Sequence, residues 1–204
     1  MIAIIDYDMG NLRSVSKAFE KAGAASVITR DPSVIAGASH MVLPGVGAFR
    51  DCMRNLIDYG LVAPIIKHID SGRPFLGICL GMQLLFEEGT EFGLHKGLGV
   101  IKGRVVRFPF AGSPGSLKVP HIGWNDVNIK KPSPLLDGIP DGTYFYFVHS
   151  YYCAPLEAGV TLTTTDYGGA FTSSIARDNV FACQFHPEKS QRAGLRILKN
   201  FSEM

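Results

Sequence analysis

Pro74-Phe75-Leu76-Gly77-Ile78-Cys79-Leu80-Gly81-Met82-Gln83-Leu84-Leu85-Phe86 is the stretch on which the fold turns. Phe75–Ile78 is a short apolar run, and Met82, Leu84, Leu85 and Phe86 make an amphipathic one. The pattern predicts a strand over Phe75–Ile78, a tight turn at Cys79, and a helix over Leu80–Glu88. Such a turn lifts a nucleophile to the end of a sheet, and flanking glycines let backbone approach it closely. The positive end of a helix beginning there favours thiolate over thiol. Cys79 is thereby singled out among Cys52, Cys79, Cys153 and Cys183.

Outward from this turn, strand and helix signals alternate in the first half. Strands are predicted at Ile2–Asp6, Ser26–Thr29 and His40–Leu43, the last running into Pro44-Gly45-Val46-Gly47. Helices are predicted from an Asn11 cap to Gly23, over Ala48–Ile57 and over Leu61–Ser71. Alternation of this kind implies an α/β fold, a mostly parallel open sheet flanked by helices. The second half changes to strand signals punctuated by Gly and Pro: Val105–Phe108, Val127–Ile129, Thr143–Tyr152, Val160–Thr165, Ala170–Ala176 and Val180–Phe185. They predict an antiparallel extension, with Phe108–Pro120 as a surface loop and Gln191–Phe201 as a closing helix. The 204 residues suit a single domain, 1–204, with a sizeable core.

Composition narrows the function. The chain is 46% hydrophobic and 19% charged, with a formal net charge of +2. That balance argues against nucleic acid or an anionic membrane surface as the main partner. No continuous apolar run of about 18 residues occurs, so no bilayer-spanning helix is expected. The N-terminus lacks the basic segment of an export signal and reads as a first strand. Reduced thiols in a cytoplasm are therefore expected, with Cys52, Cys153 and Cys183 as small packing residues. No two cysteines share a short metal-ligand spacing, and neither a Walker A pattern nor GxGxxG occurs, so no metal or organic cofactor is expected.

A thiolate nucleophile needs an imidazole, and the imidazole needs an orienting group. Among His40, His68, His95, His121, His149 and His186, only the last sits in a suggestive frame, Phe185-His186-Pro187-Glu188. In extended backbone, positions i and i+2 face one side, which would bring Glu188 beside His186. Cys79 is thus assigned as nucleophile, His186 as base and acid, and Glu188 as orienter. The oxyanion donors are expected to be the N–H of Leu80 and an N–H of Val46 or Gly47.

These residues resemble the class I (triad) glutamine amidotransferases, whose Pro-Gly-x-Gly, Gly-x-Cys-x-Gly and His-x-Glu signatures stand here in order at 44–47, 77–81 and 186–188. The resemblance covers nearly the whole chain. It implies hydrolysis of the glutamine side-chain amide through a γ-glutamyl thioester on Cys79, with ammonia passed to a synthase site. Finer strings are similar to the branch of that family serving the cyclase of histidine biosynthesis. They are Asp6-Tyr7 with Gly10-Asn11-Leu12-Arg13-Ser14-Val15, then His121-Ile122-Gly123-Trp124-Asn125, Tyr146-Phe147-Val148-His149-Ser150-Tyr151 and Gln184-Phe185-His186-Pro187-Glu188-Lys189-Ser190. Asp8 departs from that branch, where a small residue is common.

By this resemblance Gly45, Gln83, Glu91, His149, Ser150 and Tyr151 bind the glutamine substrate, and Asn11, Trp124, Tyr146 and Lys189 meet the partner. The implied partner is a cyclase subunit, a (β/α)₈ barrel, in a heterodimer. There ammonia would join an N'-phosphoribulosyl-formimino intermediate to give imidazole glycerol phosphate and an aminoimidazole carboxamide ribotide. The resemblance also implies low activity alone and a peptide rearrangement in Gly45-Val46-Gly47 on activation. Three alternatives stay open at the level of sequence. One is service to another synthase, for anthranilate, carbamoyl phosphate or pyridoxal phosphate, which partner capture would decide. Another is a non-catalytic subunit, which failure of an electrophilic glutamine analogue to label Cys79 would favour. The third is a free-standing thiol hydrolase, which activity of the isolated chain on γ-glutamyl peptides would favour.

Overall fold

A computed structural model describes residues 1–110 and 117–204. The first half lays down β1 (Ile2–Ile5), α1 (Leu12–Lys21), β2 (Ser26–Thr29), α2 (Pro32–Gly37), β3 (His40–Gly45), α3 (Phe49–Asp58), α4 (Val62–Asp70) and β4 (Phe75–Cys79). A single helical turn, α5 (Leu80–Gln83), leads into β5 (Phe86–Gly89), β6 (His95–Lys96) and β7 (Ile101–Arg107). The rest is β8 (His121–Ile129), β9 (Thr143–His149), β10 (Tyr151–Pro155), β11 (Thr161–Asp166), β12 (Ala170–Arg177), β13 (Val180–Cys183) and α6 (Gln191–Ser202).

The sheet runs β2-β1-β3-β4-β13-β12-β10-β7-β5-β6, with β11, β8 and β9 branching off β12. From β2 through β13 neighbouring strands are parallel. Beyond β13, every described pairing except β5 with β7 is antiparallel. The parallel sheet with an antiparallel extension is therefore as expected.

Strand alternation splits the core in two. Met41 and Leu43 of β3 and Phe75 of β4 point into one cluster with Phe49, Leu56 and Ile65 of α3 and α4. Val42, Leu76 and Ile78 point into the other, with Val15 and Phe19 of α1 and Ile197, Leu198 and Phe201 of α6. Central strands buried on both faces need apolar residues at every position, which is why β1, β3 and β4 read as continuous runs.

Several boundaries differ from expectation, each for a local reason. The helix predicted over Leu80–Glu88 is one turn, because Phe86–Gly89 pairs with β7 as a strand. The apolar spacing of Leu84, Leu85 and Phe86 suits either element, and tertiary pairing decides. The run Thr143–Tyr152 is two strands broken at Ser150. The region predicted from Val127 begins at His121, because the whole stretch pairs with β9. Asn11 precedes α1 but makes no side-chain cap. Part of the predicted loop Phe108–Pro120, residues 111–116, lies outside the described residues.

Candidate active site

Cys79 ends β4 with φ 54° and ψ −109°, a conformation that L residues rarely adopt. The sharp turn is possible because Gly77 and Gly81, two residues to either side, lack side chains. A Cβ on Gly81 would lie 1.8 Å from the Leu43 carbonyl oxygen, and one on Gly77 would lie 2.8 Å from that of Gly81. The turn therefore packs backbone against backbone, and the thiol is carried out at the carboxyl end of the sheet. With α5 only four residues long, the helix dipole behind Cys79 is shorter than the sequence suggests.

The neighbouring strands bring the other groups to the same end. Gly45 of β3 is in register with Cys79, and Cys183 of β13 with Ile78. The residues after β3 and β13 thus arrive beside the thiol, where ligands bind in open α/β sheets. His186 lies three residues beyond β13, and Glu188 lies in a short 3₁₀ turn, Pro187–Lys189. The expected extended strand through 188 is therefore absent. The tight turn still sets His186 Nδ1 2.7 Å from Glu188 Oε1, with both side chains buried. His186 Nε2 is buried without a hydrogen-bond partner of its own. Burial alone would lower the imidazolium, but the Cys79 and Glu188 charges outweigh it and raise His186 to about 10. That coupling is what a thiolate–imidazolium pair requires.

A cavity of about 440 Å³ opens over the thiol, lined by Cys79, Leu80, Gln83, Val46, Gly47 and Glu91 on one side. His149, Ser150, Tyr151, His186 and Lys189 line it elsewhere. The structure thus brings together Cys79, His186, both predicted oxyanion segments and every predicted substrate residue except Gly45. Gly45 is packed beneath, with its would-be Cβ 2.5 Å from Tyr7 Oη. Glu188 stands behind His186 and does not line the cavity. The predicted oxyanion loop is held from below: Tyr7 Oη donates to the Pro44 carbonyl at 2.7 Å and the Cys52 thiol to that of Val46 at 3.6 Å. Burial pushes the Cys52 thiol up to about 12, so it stays a donor. Two other predicted roles gain a structural component. Glu91 Oε2 accepts the Phe49 N–H at 2.8 Å at the start of α3. Gln83 Nε2 donates to the Tyr151 carbonyl at 3.1 Å and to Gln184 Oε1 at 2.9 Å.

The profile of the family described as glutamine amidotransferase class-I matches residues 3–204. The chain is 59% identical over 206 residues to imidazole glycerol phosphate synthase subunit HisH of Syntrophotalea carbinolica, covering 100% of both chains. It is 54% identical over 199 residues to the subunit of the same name from Aquifex aeolicus, covering 97% of this chain and 94% of that one. The chain belongs to the class I glutamine amidotransferases, in the family of HisH subunits. Solved structures agree on the fold. A glutamine amidotransferase crystal structure superposes with TM-score 0.76 at 19% identity, covering 100% of both chains. PurLQS from Thermotoga maritima gives 0.75 at 17%, covering 98% of this chain and 96% of that one.

Around this amidotransferase cavity the predicted partner residues separate into two places. Trp124 of β8 pairs with Tyr146 of β9, their rings 6.2 Å apart and edge to face. Lys189 Nζ lies 5.8 Å from the centre of the Tyr146 ring and also lines the cavity. Ile122, Trp124 and Tyr144 are about half exposed on the same hairpin. Asn11 is exposed on the other side of the predicted oxyanion loop, where Gly10 packs against Pro44 and Gly45. Asp8, the departure from the branch, takes a left-handed φ of 62° and binds Arg30 and the Tyr59 hydroxyl. Those partners, Arg30 first, lower its carboxyl and fasten the loop ahead of Asn11. No cluster of three metal-ligating side chains occurs among the described residues. No described helix is long and apolar enough to cross a membrane. The four cysteines are free and buried.

Gln184 is a residue at the Cys79 thiol that sequence reasoning passed over. Its Nε2 donates to Cys79 Sγ at 3.6 Å. The available signal was a glutamine inside Val-Phe-Ala-Cys-Gln-Phe, since an uncharged polar side chain in a buried apolar run is rarely idle.

Proposed function

We propose that this chain is the glutaminase subunit of an imidazole glycerol phosphate synthase of histidine biosynthesis, a single type 1 amidotransferase domain over 1–204. The observation that carries the chemistry is the convergence of Cys79 and His186 on one cavity, beyond the ends of the adjacent parallel strands β4 and β13, with Glu188 bonded to the imidazole from behind. The HisH relatives carry the choice of synthase.

Glutamine binds with its head group toward Gln83, Glu91 and the 149–151 segment, its side-chain amide over Cys79. The thiolate attacks the amide carbon, and the oxygen takes the negative charge against the Leu80 N–H and an N–H of Val46 or Gly47. Donors aimed at that oxygen are each worth about 3 kcal/mol of barrier. The His186 imidazolium gives its proton to the departing nitrogen, the C–N bond breaks, and ammonia and a γ-glutamyl thioester result. Neutral His186 then takes a proton from water, the resulting hydroxide equivalent cleaves the thioester, and glutamate leaves with Cys79 restored. Proton transfer by His186 contributes on the order of 10²–10⁴-fold.

The ammonia passes to a cyclase subunit, a (β/α)₈ barrel, in a heterodimer. The exposed hairpin carrying Ile122, Trp124, Tyr144 and Tyr146 suits such a docking face, since aromatic anchors dominate interfaces. Lys189 ties that face to the cavity rim. Four free thiols suit a reducing cytoplasm. Glutaminase turnover of the chain alone and with a cyclase subunit and its nucleotide substrate tests this reading. The reading expects low turnover alone and a large rise in the ternary mixture. High turnover alone, unaltered by the cyclase, would overturn it.

A further inference from the structure

We infer that Gln184 is a further catalytic residue, its side-chain amide donating a hydrogen bond to the attacking sulfur of Cys79. The inference rests on Cys79 being the nucleophile.

Gln184 is fully buried, and its backbone is fixed one residue past β13 by donation to the Ser173 carbonyl at 2.8 Å. An amide beside sulfur can present N–H or oxygen, with opposite effects on a thiolate. Here the orientation is dictated. The Tyr151 carbonyl is an acceptor only, so the Gln83 atom 3.1 Å away must be its nitrogen. The same nitrogen gives its second hydrogen to Gln184, which must therefore turn its oxygen toward Gln83, 2.9 Å away. The Gln184 nitrogen is left facing Cys79 Sγ at 3.6 Å.

The Tyr151 carbonyl is fixed in turn. His149 Nδ1 lies 2.8 Å from it and must carry the proton. His149 Nε2 is then an acceptor and lies 3.0 Å from His121 Nδ1, which donates. His121 Nε2 accepts from Asn125, whose amide nitrogen also donates to the Asp166 carbonyl at 2.8 Å. Burial pushes His121 down to about 4 and His149 down to about 3, so both rings stay neutral and both tautomers persist near neutral pH. The donors of His149 and Gln83 converge on the Tyr151 carbonyl, and the second hydrogen of Gln83 continues through Gln184 to sulfur.

A neutral N–H donated to a thiolate in a buried site favours the charged form and fixes the direction of the attacking lone pair. Loss of a bond to a charged group is worth about tenfold or more in the equilibrium it supports.

The test is the pH dependence of Cys79 alkylation by iodoacetamide in the full chain, with glutaminase kinetics in the complex beside it. Gln184→Met keeps the volume and removes the donor. Gln184→Glu keeps the bond from Gln83 and cannot donate as a carboxylate, so it decides the case if the Met variant does not fold. We expect the alkylation profile of each folded variant to move to higher pH, with the neutral-pH rate and kcat each falling about tenfold or more and KM little changed. A profile that superimposes on the parent's in a folded variant would overturn the inference. If Cys79→Ala were alkylated as fast as the parent, the nucleophile assignment itself would fail, a distinct result.

Discussion

His186 and Glu188 meet at 2.7 Å through a 3₁₀ turn, and not through the extended backbone that two-residue spacing suggests. Pro187 starts the turn, and the carboxylate folds back under the ring it orients. Because both side chains are buried, the carboxylate's charge acts on the imidazolium with little screening. Glu188→Gln keeps the size and removes the charge. It is expected to lower glutaminase kcat by about a hundredfold or more, with smaller change in KM. Steady-state kinetics in the complex check this.

Gly81 sits against the Leu43 carbonyl, where no side chain fits. Gly81→Ala must push α5 away from the carboxyl end of β3. We expect a loss of about 3 kcal/mol or more in folding stability, read from denaturant midpoints, with loss of glutaminase activity in whatever folds.

The buried His121–His149 pair makes stability fall on the acid side. The native rings refuse protons until about pH 4 and about 3, whereas the unfolded chain accepts them near 6.5. Between about pH 7 and 5 the unfolded state gains roughly 2 kcal/mol per ring, and stability returns above 6.5. His186 acts oppositely: raised to about 10, its contribution is full below 6.5 and is lost as pH rises toward 10. Denaturant midpoints across pH check both slopes, and His121→Gln is expected to flatten the acid one.

Trp124 is 46% exposed and touches Tyr146 at a ring edge. Trp124→Ala is expected to change folding stability by about 0.5 kcal/mol or less. It is expected to weaken cyclase binding by about 2 kcal/mol, near thirtyfold in Kd, in a titration of the two subunits.

Much of this was legible in the sequence because the strongest signals are local. The apolar runs Ile2–Ile5 and Phe75–Cys79 are inner strands of a parallel sheet, and the glycines around Cys79 mark a turn that only they permit. What escaped depends on distant partners. Phe86–Gly89 is a strand only because β7 lies beside it. The orientation of Gln184 follows from Gln83 and the Tyr151 carbonyl, neither of them near it in sequence. Glu91 starts α3 from 42 residues away, which no window on α3 reveals.

The central claim is that Cys79 releases ammonia for chemistry performed elsewhere. Its most direct test is Cys79→Ser in the complex with the cyclase, assayed for imidazole glycerol phosphate from glutamine and, separately, from ammonium salts. The account predicts loss of the glutamine-dependent synthesis with the ammonium-dependent synthesis intact. Retained glutamine-dependent synthesis, or loss of both in a folded complex, would contradict it.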